Sequence, residues 1–187
     1  MGCDSKGVPV PAGQYLNVFA LVIYIPDPLG AFLDQLRTLL VPGSNPHAHV
    51  SVLPPRSLAV EWPLAAARVR SLAADWPPFD IELAAIEVFP VTNVIYIELG
   101  AGAAQLHRMH AASNAGVLTF PEPFEYHPHI TLAQEIPLED LAEANRTARR
   151  LWSEFQGPRV FRADRAALVQ NAVGACWVDL AQYEFSR

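Results

Sequence analysis

Two stretches of this 187-residue chain repeat one arrangement of reactive side chains. The first is His47-Ala-His49-Val-Ser51-Val and the second is His127-Pro-His129-Ile-Thr131-Leu. Each reads histidine, any residue, histidine, aliphatic, small hydroxyl, aliphatic. Four of the six histidines lie in these windows, so the chemistry of the chain is sought there first. Imidazole titrates near neutrality, with an unperturbed pKa of about 6.5. One ring can be neutral and act as base while another is charged and acts as acid. Cleavage of a phosphodiester needs that division, and each positioned proton transfer contributes roughly 10²–10⁴-fold in rate. The hydroxyls of Ser51 and Thr131 would hydrogen-bond the non-bridging phosphate oxygens. This scheme requires no metal, and no cofactor is expected.

The elements that carry these residues must place both sets on one cleft. Side chains in a strand alternate between faces. On a strand, His47, His49 and Ser51 share one face, while Ala48, Val50 and Val52 share the other. His127, His129 and Thr131 oppose Pro128, Ile130 and Leu132 in the same way. The aliphatic face enters a core and the polar face lines the cleft. Pro128 is tolerated at a strand start or edge and holds His127 extended.

The rest of the chain supplies matching surroundings. Tyr15–Ile25 is rich in β-branched and aromatic residues and is predicted as a buried strand ended by Pro26 and Pro28. Helical spacing of apolar residues follows from Leu29 to Leu40. The first histidine strand is expected to stop at Pro54-Pro55. A helix over 63–76 and a strand over 79–89 follow. The order then begins again: a strand at 93–99, a helix at 102–116, the second histidine strand, and a helix at 137–155 with acids in its first turn. Residues 159–185 are predicted as a closing hairpin. The expected fold is α+β, with two pseudo-symmetric lobes around a central cleft, each a mainly antiparallel sheet with helices outside. Residues 1–13 are expected as a tail. Residues 14–187 are expected as a single bilobal domain with lobes over approximately 14–90 and 91–187.

Bulk properties narrow the classes. An apolar fraction of 51% suits a folded chain and excludes a disordered one. The formal charge is −6 and Lys6 is the only lysine, so a basic face for long nucleic acid is not expected. No apolar run reaches membrane-spanning length. Cys3 and Cys176 are expected as a tail thiol and a core thiol in a reducing, cytoplasmic setting.

The tetrads His49-Val-Ser51-Val and His129-Ile-Thr131-Leu resemble the paired signatures of the 2H phosphoesterase superfamily, which includes 2′-5′ RNA ligase-like proteins and cyclic nucleotide phosphodiesterases. The likeness spans almost the whole chain. It implies His49 and His129 as the catalytic pair and Ser51 and Thr131 as phosphate-binding hydroxyls. It also implies metal-independent hydrolysis or transesterification of cyclic phosphodiesters or 2′-5′ linkages, in nucleotides or RNA ends. A small nucleotide or RNA end is the expected partner, with no membrane and a monomeric state. His47 and His127 are additional to that signature. They join Arg56 and Tyr126 as candidates for contacting substrate.

Plainer readings stand beside these. Arg56 fits a solvated loop arginine as well as a phosphate ligand. Tyr24, Tyr96, Phe124 and Tyr126 fit core or rim aromatics as well as stacking platforms for a base. His107 and His110 fit a helix surface. Two His-x-His pairs could instead hold a transition metal, which would make a metal-dependent hydrolase. The cleft could also bind a nucleotide without turning it over.

Overall fold

The computed structural model describes residues 14–173 and 176–186; the tail expected over 1–13 lies outside them. The elements run β1 (Tyr15–Tyr24), α1 (Leu29–Leu40), β2 (His49–Arg56), α2 (Trp62–Ala73), β3 (Phe79–Val88), β4 (Ile95–Leu99), α3 (Ala103–Ser113), β5 (His129–Ala133), α4 (Leu138–Glu154), β6 (Val160–Ala163), β7 (Arg165–Ala172) and β8 (Cys176–Glu184). They form two four-stranded antiparallel sheets, ordered β2-β1-β7-β8 and β5-β4-β3-β6. The α+β class with two antiparallel sheets and outer helices is as the sequence predicts.

The sheets do not follow the chain halves. β3 lies in the second sheet, and β7 and β8 return to the first. A division at residue 90 would cut the β3–β4 hairpin, whose strands pair from Leu83↔Leu99 to Val88↔Ile95. Strands joined by a short turn stay adjacent, so the second lobe is residues 79–163 and the first is built from both chain ends. The expected closing hairpin is likewise redistributed. β6 pairs with β3, and only β7 and β8 pair with each other.

β2 also runs through Pro54 and Pro55 instead of stopping before them. It is an edge strand, where missing N–H groups can face away from the ladder. Alternation holds in both histidine strands. Val50, Val52, Ile130 and Leu132 are fully buried, while His49, Ser51, His129 and Thr131 are half-buried. Burial of an aliphatic side chain of this size contributes ~1.5–3 kcal/mol. A one-residue slip would put imidazoles in the core, so the register is strongly specified.

One continuous core joins the sheets and helices, with Leu21, Ile23, Leu33, Ile97, Leu106 and Trp152 among its members. The opposite face of the first sheet carries a separate small cluster, Ala20, Val22, Ala167 and Val169, against which Tyr24 packs. Helix α1 is seated closely at the end of β1. A side chain on Gly30 would collide with the Ile25 carbonyl oxygen, so only glycine fits there. The Asp27 carboxylate accepts the Ala31 N–H at 2.9 Å at the start of the helix. One turn further on, Asp34 Oδ1 accepts the Ala48 N–H at 2.7 Å. These contacts tie α1 to the entry of β2, and the helix also packs on β5.

Candidate active site

Each histidine strand is the edge of its sheet, and the two edges are in contact. That contact brings His49 and His129 within electrostatic reach of each other, since charge on His129 disfavours charge on His49. Their immediate geometry is matched. His49 Nδ1 lies 2.6 Å from the His47 carbonyl oxygen, and His129 Nδ1 lies 2.7 Å from that of His127. A carbonyl can only accept, so Nδ1 donates in both protonation states. Each ring is therefore oriented, and Nε2 is left to take or give a proton. Neither Nε2 has a protein partner among the described residues. The same holds for the half-buried hydroxyls of Ser51 and Thr131. The structure thus brings together all four residues singled out from the repeated pattern.

Burial disfavours the charged form of both rings. It pushes His49 down to about 4, against the pull of the His47 carbonyl, and positive charge on Arg37, His47 and His129 adds to the depression. Burial also lowers His129. The His127 carbonyl opposes that shift, His127 adds to it, and the Glu98 carboxylate works against it. His49 is thus the ring more strongly held neutral, while His129 has an acidic neighbour that favours its protonation.

The additional histidines act differently from their neighbours. Both rings are exposed. His47 stacks on Tyr24 with ring centres 3.9 Å apart, and His127 Nε2 meets Glu98 Oε2 at 2.8 Å. It is their backbone carbonyls that orient His49 and His129, a service any residue could perform. Tyr24 in turn donates to Asp179 Oδ1 at 2.6 Å, and burial followed by that carboxylate pushes its hydroxyl upward. Phe89 stacks on Tyr96 at 4.0 Å and presents its ring at right angles to His127 and His129.

Two substrate-contact candidates are engaged within the protein. Arg56 is only 3% exposed. Its Nε donates to the Pro54 carbonyl at 3.0 Å, its Nη1 to Asn114 Oδ1 at 2.9 Å, and its Nη2 to Glu122. With every nitrogen engaged, this guanidinium fastens the end of β2 to the loop after α3. Tyr126 is 9% exposed, its ring is stacked on His110 at 3.9 Å, and its hydroxyl donates to the Ser51 carbonyl at 2.8 Å. It braces the approach to β5 against β2. His110, expected on a helix surface, is half-buried in this brace and meets both Glu122 oxygens at 2.9 and 3.1 Å. Hydropathy alone could not show that a loop would fold back over that helix face.

Residues outside the repeated pattern also reach the site. Glu98 is paired across β4–β5 with His129, and Arg37 of α1 acts on His49. Glu98 was legible only in part: alternation in β4 puts it on the face opposite Ile97, but not beside β5. Of the two cysteines expected as free thiols, Cys3 lies outside the described residues and Cys176 is not free.

Among the described residues, no three His, Cys, Asp or Glu side chains are grouped so as to hold a metal, and no helix is long and apolar enough to cross a membrane. A protein of Geobacillus kaustophilus (strain HTA426) named as a phosphoesterase is 24% identical over 135 residues, covering 67% of this chain and 73% of its own. The fold is similar to Escherichia coli LigT complexed with phosphate, with TM-score 0.61 at 14% identity over 92% of this chain and 99% of that one. It is also similar to Kluyveromyces marxianus Usb1, with TM-score 0.52 at 13% identity over 88% and 97%. The profile of the 2′-5′ RNA ligase superfamily matches residues 25–175, most of the chain, and the protein belongs to that superfamily.

Proposed function

We propose that this protein is a metal-independent phosphoesterase that opens cyclic 2′,3′-type phosphodiesters, or makes and breaks 2′-5′ linkages, in small nucleotides or RNA ends. The observation that carries this reading is the matched pair of imidazoles, each oriented through Nδ1 and each with Nε2 uncommitted. In the hydrolytic direction a neutral ring takes a proton from water. The water oxygen bonds to phosphorus, the bond from phosphorus to one ribose oxygen breaks, and the second ring gives its proton to that leaving oxygen. Ser51 and Thr131 hold the non-bridging oxygens. His49, the ring more strongly held neutral, is assigned as base. His129, with Glu98 beside it, is assigned as acid. Transesterification runs the same proton transfers with a ribose hydroxyl in place of water.

The test is a screen of 2′,3′-cyclic nucleotides and 2′-5′-linked dinucleotides, before and after exhaustive chelation, with product regiochemistry identified. The expected result is turnover that survives chelation. Loss of turnover on chelation, restored by added metal, would move the assignment to a metal-dependent hydrolase. Binding without turnover of any member of the screen would make the protein a nucleotide binder.

A further inference from the structure

We propose that Arg37, on the last turn of α1, is the cation that receives the substrate phosphate beside His49. This rests on the phosphoesterase reading above and adds to it a residue outside the two histidine strands.

The argument begins with where α1 is held. Asp34 bonds the backbone N–H of Ala48, the residue before His49, at 2.7 Å. Arg37 stands three positions on, on the same helix face, and the helix packs on β5 as well. Arg37 is therefore delivered to the meeting of the two histidine strands. Its surroundings there are unusual. The guanidinium is half-buried, its Nε is enclosed without a hydrogen-bond partner, and it makes no hydrogen bond or close ion pair with any described residue; the Asp34 carboxylate, already bonded to the Ala48 N–H, favours its charge without bonding it. The other enclosed, unpartnered side-chain atoms among the described residues are the hydroxyls of Ser44, Ser113 and Tyr183, so Arg37 is the only charged group among them. Burying an unpaired charge is costly, and such groups are ordinarily paired. Arg56 shows how this chain treats an arginine whose role is structural: every nitrogen is bonded.

The charge of Arg37 also reaches the proposed base. Among the charges that disfavour protonation of His49, that of Arg37 ranks first, ahead of those of His47 and His129. A planar guanidinium can bond two phosphate oxygens at once. It would complement the hydroxyls of Ser51 and Thr131 and neutralise charge as the fifth oxygen joins phosphorus. The two Nη groups, which are neither enclosed like Nε nor bonded to a described residue, are the donors that meet the ligand.

Arg37→Gln and Arg37→Lys test this by two readouts. In a titration with inorganic phosphate, followed by the ring signals of His49 and His129, Arg37→Gln is expected to bind at least ~10-fold more weakly. On a cyclic nucleotide its kcat/KM is expected to fall by ~10²–10³-fold, the usual effect of removing one such donor. Arg37→Lys is expected to recover part of both. Thermal stability should change little, because the burial cost removed with the guanidinium is set against the loss of its attraction to Asp34. The His49 ring should protonate at higher pH. Phosphate binding as tight as in the parent, no phosphate binding by the parent, or a fall in stability matching the fall in activity would each overturn the assignment. If His49→Ala and His129→Ala still turn over the nucleotide, the phosphoesterase mechanism falls, while the phosphate titration still decides the role of Arg37.

Discussion

Across the ladder from His49 stands Tyr24; across the ladder from His129 stands Glu98. The two strands otherwise carry the same alternation, the same Nδ1 bond to the residue two before, and a hydroxyl two positions on. In the first lobe the partner is a phenol whose proton is held by Asp179, and a nearby cation, Arg37, opposes charge on the ring. In the second lobe the partner is a carboxylate that favours it. Pseudo-symmetry supplies two equivalent bases, and the cross-strand neighbours make them unequal. An acid and a base at one phosphorus need that inequality, because two identical imidazoles would compete for one protonation state.

The largest way to break the comparison is to remove each ring in turn. His49→Ala and His129→Ala are each expected to lower kcat by roughly 10²–10⁴-fold with ligand affinity largely kept. Loss from one alone, measured by steady-state kinetics, would mean the strands are not partners in one reaction.

The strands also differ in how they end, β2 on buried Arg56 and β5 on Ala133. Removing Arg56 leaves Glu122 without its guanidinium. Arg56→Ala is expected to destabilise by ~3–5 kcal/mol in urea unfolding. An effect near zero would show that the brace does not hold β2.

A smaller effect follows from the His49 proton. Its folded pKa of about 4 lies below the ordinary value, so between pH 6.5 and 4 the unfolded chain binds a proton that the folded chain resists. Stability should therefore fall as pH drops through that window, by about 3 kcal/mol from this group, and level off below it. His49→Gln should remove that part of the slope in urea melts taken at several pH values.

The smallest effect sharpens the inequality itself. The pH profile of kcat/KM is expected to be bell-shaped, with its optimum on the acidic side of an ordinary histidine, since both free rings are depressed. Glu98→Gln removes the charge that raises His129, so the limb on the alkaline side should move to lower pH while the acidic limb stays. Movement of the acidic limb instead would exchange the roles of the two histidines.

What could be read from the chain alone was what repeats along it. Period-two alternation assigns Val50 and Ile130 to the core and His49 and His129 to the opposite face, because a strand offers only those two directions. The repeated hydroxyls follow from the same rule. Contacts between distant segments followed no such rule. Arg56 looked available and is enclosed by Asn114, Leu118 and Glu122, residues 58 to 66 positions away. Arg37 sits in an ordinary helical pattern, and only the packing of α1 on β5 and its tie to Ala48 let its charge act on His49. The division into lobes was likewise decided by pairing. β3 joined the second sheet through a hairpin, and β7 and β8 came back to β1 from the far end of the chain. Local periodicity sets which way a side chain points; which other segment it then meets depends on burial and pairing of the whole chain, and only the tertiary structure decides that.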